Sequence, residues 1–117
     1  ASKSYIGFRV LQDNGEELDI VYADSTGSVQ EWAAAITSMT ADTYIKLGFK
    51  YDPEQTRKIR FWLDGVEYKT DYIDATDIAA ATFPDGDVLA PTLLTKVGTA
   101  AESKAYMSWW RWAQLAV

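Results

Sequence analysis

Hydrophobic and polar residues alternate with a period of two through much of this chain, most clearly along Ile59-Arg60-Phe61-Trp62-Leu63-Asp64-Gly65-Val66-Glu67-Tyr68. That period marks β-strands. Asp64-Gly65 lies between two β-rich arms, and a two-residue type I′ turn needs φ > 0 at both central positions, which Asp and Gly tolerate. The turn predicts a register: Leu63 opposite Val66, Trp62 opposite Glu67 and Phe61 opposite Tyr68. Ile59, Phe61, Leu63, Val66 and Tyr68 then share one face, predicted to be buried. Arg60, Trp62, Glu67 and Lys69 take the other, where a tryptophan among charges makes Trp62, Arg60 and Glu67 candidate interface or ligand residues.

The same period recurs on both sides of the hairpin. Ile6, Phe8 and Val10 alternate with Tyr5, Gly7, Arg9 and Leu11, and Leu18, Ile20 and Tyr22 with Asp19, Val21 and Ala23. The turn Asp13-Asn14-Gly15-Glu16 between them predicts an antiparallel pair. Val29 to Thr40 is ambiguous, because Trp32-Ala33-Ala34-Ala35-Ile36 has helix propensity in β surroundings. A strand with irregular edges is the expectation there, and a helix of one to three turns the alternative. Tyr44 to Tyr51 alternates cleanly and reads as a central strand with one wet face. Asp52-Pro53-Glu54-Gln55-Thr56 then turns the chain into the hairpin, which predicts a three-strand meander from Tyr44 to about Thr70.

Asp71 to Pro84 lacks a strand period and predicts one short helical turn capped by Asp77. Phe83-Pro84-Asp85-Gly86-Asp87 reads as a tight turn. Val88 to Val97 reads as a strand in which Pro91, lacking a ladder donor, marks an edge or a bulge. A last strand from Lys104 to about Leu115 carries Trp109-Trp110-Arg111-Trp112, and alternation makes both its faces aromatic. Trp109, Trp110 and Trp112 are therefore candidate interface residues as well.

Composition narrows the chemistry. The 117 residues predict a single all-β domain over 1–117, long enough to bury roughly two-thirds of its unfolded surface. There is no cysteine and no histidine, so disulfides, thiol nucleophiles, histidine bases and the usual zinc ligands are excluded, and no cofactor is expected. A net charge of −6 argues against nucleic acid, whose phosphates are bound by clustered Lys and Arg. No run of about 18 apolar residues suggests a membrane span, and the first residues lack the apolar core of a signal peptide. The N-terminus without Met predicts a processed product or part of a longer one.

Glu17-Leu18-Asp19 places two carboxylates on one strand face, the way β-sandwich glucanases mount their acid and nucleophile. It resembles the Glu-x-Asp core of laminarinase-like and lichenase-like enzymes, whose second glutamate is missing here, where Val21 and Tyr22 stand. A solvated strand face, and no enzyme, is the expectation. Asp85-Gly86-Asp87, and Asp74 with Asp77, offer oxygens that calcium favours, but neither has the spacing of a calcium loop. Turn-forming aspartates are the expected reading of both.

Lys46-Leu47-Gly48-Phe49-Lys50-Tyr51-Asp52 followed by Phe61-x-Leu63-Asp64-Gly65 resembles the back half of concanavalin A-like (LamG-like) jelly-roll domains. Phe83-Pro84-Asp85, Val88-Leu89-Ala90-Pro91-Thr92, Lys96-Val97-Gly98-Thr99-Ala100-Ala101 and Trp109-Trp110-Arg111-Trp112-Ala113-Gln114 are similar to the C-terminal strands of such domains in structural proteins of tailed-bacteriophage virions. Full members usually have further strands before the one matched by Tyr5 to Leu11, so the resemblance implies an incomplete or trimmed variant. It further implies an antiparallel β-sandwich located in the virion, as a capsid decoration or surface-displayed interaction domain. The implied partners are virion proteins of capsid or tail and further copies of the chain; no catalytic residues carry over. A lectin-like module binding glycan through Trp62 is the alternative. A last strand aromatic on both faces predicts an oligomer or a bound partner with Trp109 to Trp112 near the contact.

Overall fold

The structure, a computed structural model, describes residues 4–11, 15–40 and 42–85 together with 107, 111 and 113. The predicted strands Val88 to Val97 and Lys104 to Leu115 lie outside them. The described chain is all-β apart from one helical turn: β1 (Tyr5–Val10), β2 (Glu17–Ala23), β3 (Val29–Ser38), β4 (Leu47–Tyr51), β5 (Ile59–Leu63), β6 (Val66–Ile73) and α1 (Ala75–Ile78). These strands form two three-stranded antiparallel meanders, β1-β2-β3 and β4-β5-β6.

The Asp64-Gly65 turn is as the sequence predicts. Both residues have positive φ, 50° and 81°. The pairs Leu63–Val66, Trp62–Glu67 and Phe61–Tyr68 form in the expected register. Asp64 also closes the neighbouring ladder: its N–H donates to the Lys46 carbonyl at 2.8 Å, and its Oδ1 accepts from the Lys46 N–H at 3.0 Å. A side chain here takes the place of a strand carbonyl, so the regular strand begins at Leu47 rather than at Tyr44. Beyond Phe61 the register slips to Ile59–Ile73, which bulges β6 over Lys69 to Tyr72.

The core joins the two meanders. Ile20, Tyr22 and Ala33 from the first pack with Ile59, Phe61 and Ile73 from the second, and Phe83 closes the cluster. The rings of Phe8 and Phe61 meet edge to face across the layer, with centroids 5.8 Å apart, and Tyr22 lies 5.2 Å from Phe83. Edge-to-face packing suits the aromatic quadrupoles.

Three expectations about position are corrected. Among the described strands, Leu47–Tyr51 lies at a sheet edge and not at its centre, with β5 as its neighbour. Val66, on the face predicted to be buried, is 71% exposed, because it sits at the hairpin tip beyond the core. The cap of α1 is Asp74, not Asp77: a cap must precede the first helical residue, and Asp74 Oδ1 accepts from the N–H groups of Thr76 and Asp77. Asp77 completes a capping box by accepting from the Asp74 N–H at 2.9 Å.

The Ala-rich stretch is a strand, and an irregular one. Between the pairs Ile20–Ala33 and Leu18–Thr37, Asp19 alone faces Ala34, Ala35 and Ile36, and Trp32 is extra one step earlier. Ala35 has φ of 53°, a left-handed conformation that costs an L-residue about 1–2 kcal/mol.

Candidate functional site

Two clusters of polar side chains occupy the sheets. On the outer face of β4-β5-β6, Trp62 stands on the central strand with Gly48 opposite on one side and Glu67 opposite on the other. Gly48 has no side chain, so the Trp62 ring has no cross-strand neighbour there; a Cβ on residue 48 would lie 3.9 Å from Trp62 Cβ. The Arg60 guanidinium lies over the indole, 5.3 Å from the ring centroid. Such a contact is attractive through the ring quadrupole. Glu67 Oε1 is 3.8 Å from Arg57 Nη1, and Arg57 in turn lies over the Tyr72 ring at 4.9 Å. Alternation thus brings Trp62, Arg60 and Glu67 together on one half-buried face, as expected from the sequence. Trp109, Trp110 and Trp112 lie outside the described residues.

The second cluster was not expected. Arg9 on β1 stands opposite Asp19 on β2, with Nη2 3.2 Å from Asp19 Oδ2 and 2.6 Å from Glu31 Oε2. Asp19 is fully buried, and its Oδ1 accepts from the Ala35 N–H at 3.0 Å. The carboxylate therefore holds the bulge of β3 in its left-handed conformation. The expectation of a solvated face is corrected for Asp19, because the bulged strand folds its own backbone over the carboxylate. Glu17 pairs with Ser38, and what faces Asp19 is a guanidinium, so the two acids of Glu17-Leu18-Asp19 do not converge on a common space. A signal for this cluster did exist in the sequence. Arg9 and Asp19 carry opposite charges on strands joined by one short connection, and opposite charges in a cross-strand pair attract, although the turn residues alone do not set the register.

The aspartates of α1 are engaged with backbone. Two N–H bonds to Asp74, led by that from Asp77, hold its carboxyl below the usual range, whereas burial pushes that of Asp77 up. Burial, helped by a hydrogen bond with Asp71, also raises the Tyr68 phenol. Among the described residues no group of three or more His, Cys, Asp or Glu is arranged to hold a metal ion, and no helix is long and apolar enough to cross a membrane.

The surface carries a third feature. Leu47, Phe49 and Tyr51 of β4 point to the inner side of their sheet, yet they are 39%, 50% and 58% exposed. The Phe49 ring touches the core only at its border, 6.4 Å from Phe61. Comparison with protein-family models, curated proteins and solved structures found no match to this chain.

Proposed function

We propose that this chain is a structural protein of a tailed-bacteriophage virion, a jelly-roll-like β-sandwich displayed on the particle as a capsid decoration or interaction domain. The observation that carries the reading is the apolar row Leu47, Phe49 and Tyr51, left at the surface by an edge strand whose sheet otherwise contributes to a well-formed core. Exposed edges with apolar neighbours suit a protein whose role is to be covered by another. The likeness of the segment from Phe83 to Gln114 to C-terminal strands of virion proteins supplies the setting. Its partners are virion proteins of capsid or tail, and it performs no catalysis. Mass spectrometry of purified particles from a phage encoding this chain is the test. The chain is expected among the virion proteins, and its absence would remove the reading.

A second reading has its own observation. Trp62 beside side-chain-free Gly48, with Arg60 and Glu67 as flanking polar groups, is an arrangement that fits the apolar side of a pyranose. Under it the chain is a glycan-binding module. A glycan array with wild type and Trp62→Ala separates the two readings: a hit lost in the variant favours the module, and no hit at high protein concentration retires it.

A further inference from the structure

The edge of β4 that no described strand pairs has a self-complementary pattern, and we infer that two copies of this chain pair through it, antiparallel about a twofold axis at Phe49, to join the described strands of both copies into one six-stranded sheet. The backbone directions come first. In an antiparallel ladder alternate residues turn their N–H and C=O groups toward the neighbouring strand. Asp52 donates to the Lys58 carbonyl at 2.7 Å and Lys46 accepts from the Asp64 N–H at 2.8 Å, so residues 46, 48, 50 and 52 bond inward to β5. Leu47, Phe49 and Tyr51 therefore turn their backbone groups outward, to an edge unpaired among the described strands.

With the axis at Phe49, these three residues satisfy one another. Phe49 exchanges both bonds with its own copy, and Leu47 does the same with Tyr51 of the second copy, at each end. The half-exposed side chains of all three meet on one face, apolar against apolar. On the other face Lys46 stands opposite Asp52, twice by symmetry, and Lys50 opposite Gly48. The next residue, Pro53, has no N–H and ends the pairing where the strand ends.

Neighbouring registers fail on charge or on length. Centring on Gly48 opposes Lys46 to Lys50 twice, and centring on Lys50 opposes it to itself; like charges directly opposite destabilise a pair. Centring on Leu47 leaves Tyr51 to pair with Thr43, outside the strand. Only the Phe49 register uses the length of β4, pairs opposite charges and covers the apolar row. β4 also meets β5 without a register shift, so the edge carries no bulge to twist it away from a second strand. The contact uses only β4 and requires no other protein.

The test is sedimentation and light scattering of the whole chain, with amide hydrogen exchange read by residue. At about 100 μM protein, a concentration that fills a dimer of micromolar Kd, the expected species has twice the 13.1 kDa chain mass. The amides of Leu47, Phe49 and Tyr51 should gain protection as concentration rises. Phe49→Lys, which places two ammonium groups at the axis, and Lys46→Glu, which opposes Asp52, should each weaken the dimer about tenfold or more. Adding Asp52→Lys to Lys46→Glu should restore it to within about threefold. If Phe49→Lys does not fold, the two charge variants decide. A monomer at that concentration, or a dimer indifferent to Lys46→Glu with those three amides unprotected, overturns the inference.

Discussion

Asp19 offers the sharpest test of how this fold is held. Its carboxylate makes two connections at zero exposure: Oδ2 to Arg9 at 3.2 Å and Oδ1 to the Ala35 N–H at 3.0 Å. Asp19→Ala removes both. Leaving the Ala35 N–H without an acceptor inside the bulge costs about 1–3 kcal/mol. Loss of the ion pair adds only about 1 kcal/mol, because Arg9 is a quarter exposed and retains Glu31 at 2.6 Å. The expected destabilisation is therefore about 2–4 kcal/mol, which for a chain of this size lowers Tm by roughly 8–20 °C. Asp19→Asn keeps an oxygen for Ala35 and gives up only the charge, so it should cost about half as much. Urea denaturation of the three proteins, with Tm read by circular dichroism, is the assay. An alanine variant within about 0.5 kcal/mol of wild type, or equal costs for alanine and asparagine, would refute the assignment of Asp19 as the acceptor that holds the bulge.

Other expectations follow from the same geometry. Ala35→Gly should stabilise the protein by about 0.5–1 kcal/mol, since Ala35 is exposed and its φ of 53° suits glycine; an unchanged or lower urea midpoint would argue against strain there. Gly65→Val should cost about 1–3 kcal/mol from the backbone alone, because a Cβ at Gly65 meets nothing within 4 Å while φ is 81°; equal melting temperatures would count against a type I′ turn. The paired aspartates of α1 act on stability with opposite signs. Asp77, whose carboxyl is raised in the fold, binds its proton more tightly when folded and so adds stability as pH falls toward the ordinary aspartate range. Asp74, whose carboxyl is lowered, contributes above that range and is lost as pH falls through its folded value. Asp77→Asn removes the first effect while keeping the backbone N–H that is the main hold on Asp74, so the fall in Tm from about pH 5 to pH 3 should steepen relative to wild type; a shallower fall would reverse the assignment.

Much of the local structure was legible in the sequence because its causes are local. The Asp64-Gly65 register follows from a two-residue turn that admits few conformations, and the face that carries Trp62, Arg60 and Glu67 follows from a period of two. The Ala-rich β3 was harder, since alanine favours a helix in isolation and only pairing with β2 makes it a strand. Asp19 was misplaced for a related reason: alternation puts it on the outer face, but its burial depends on a bulge in a different strand. The same limit applies to β4, where alternation names the apolar face and leaves open whether another layer covers it.

By itself, then, the amino-acid order determined strands β1, β2, β5 and β6, the hairpin register at Asp64-Gly65 and the grouping of their side chains by face, because steric limits on φ and ψ and the alternation of side chains act over a few residues. It also determined the excluded chemistry, through the absence of cysteine and histidine. Tertiary structure decided the rest. It placed Leu47–Tyr51 at an edge among the described strands, buried Asp19 under the backbone of Ala35, left Val66 beyond the core and set Arg60 over Trp62. Each of these depends on which segments distant in sequence come to lie against one another, and burial is a property of that packing, not of any residue or its neighbours along the chain.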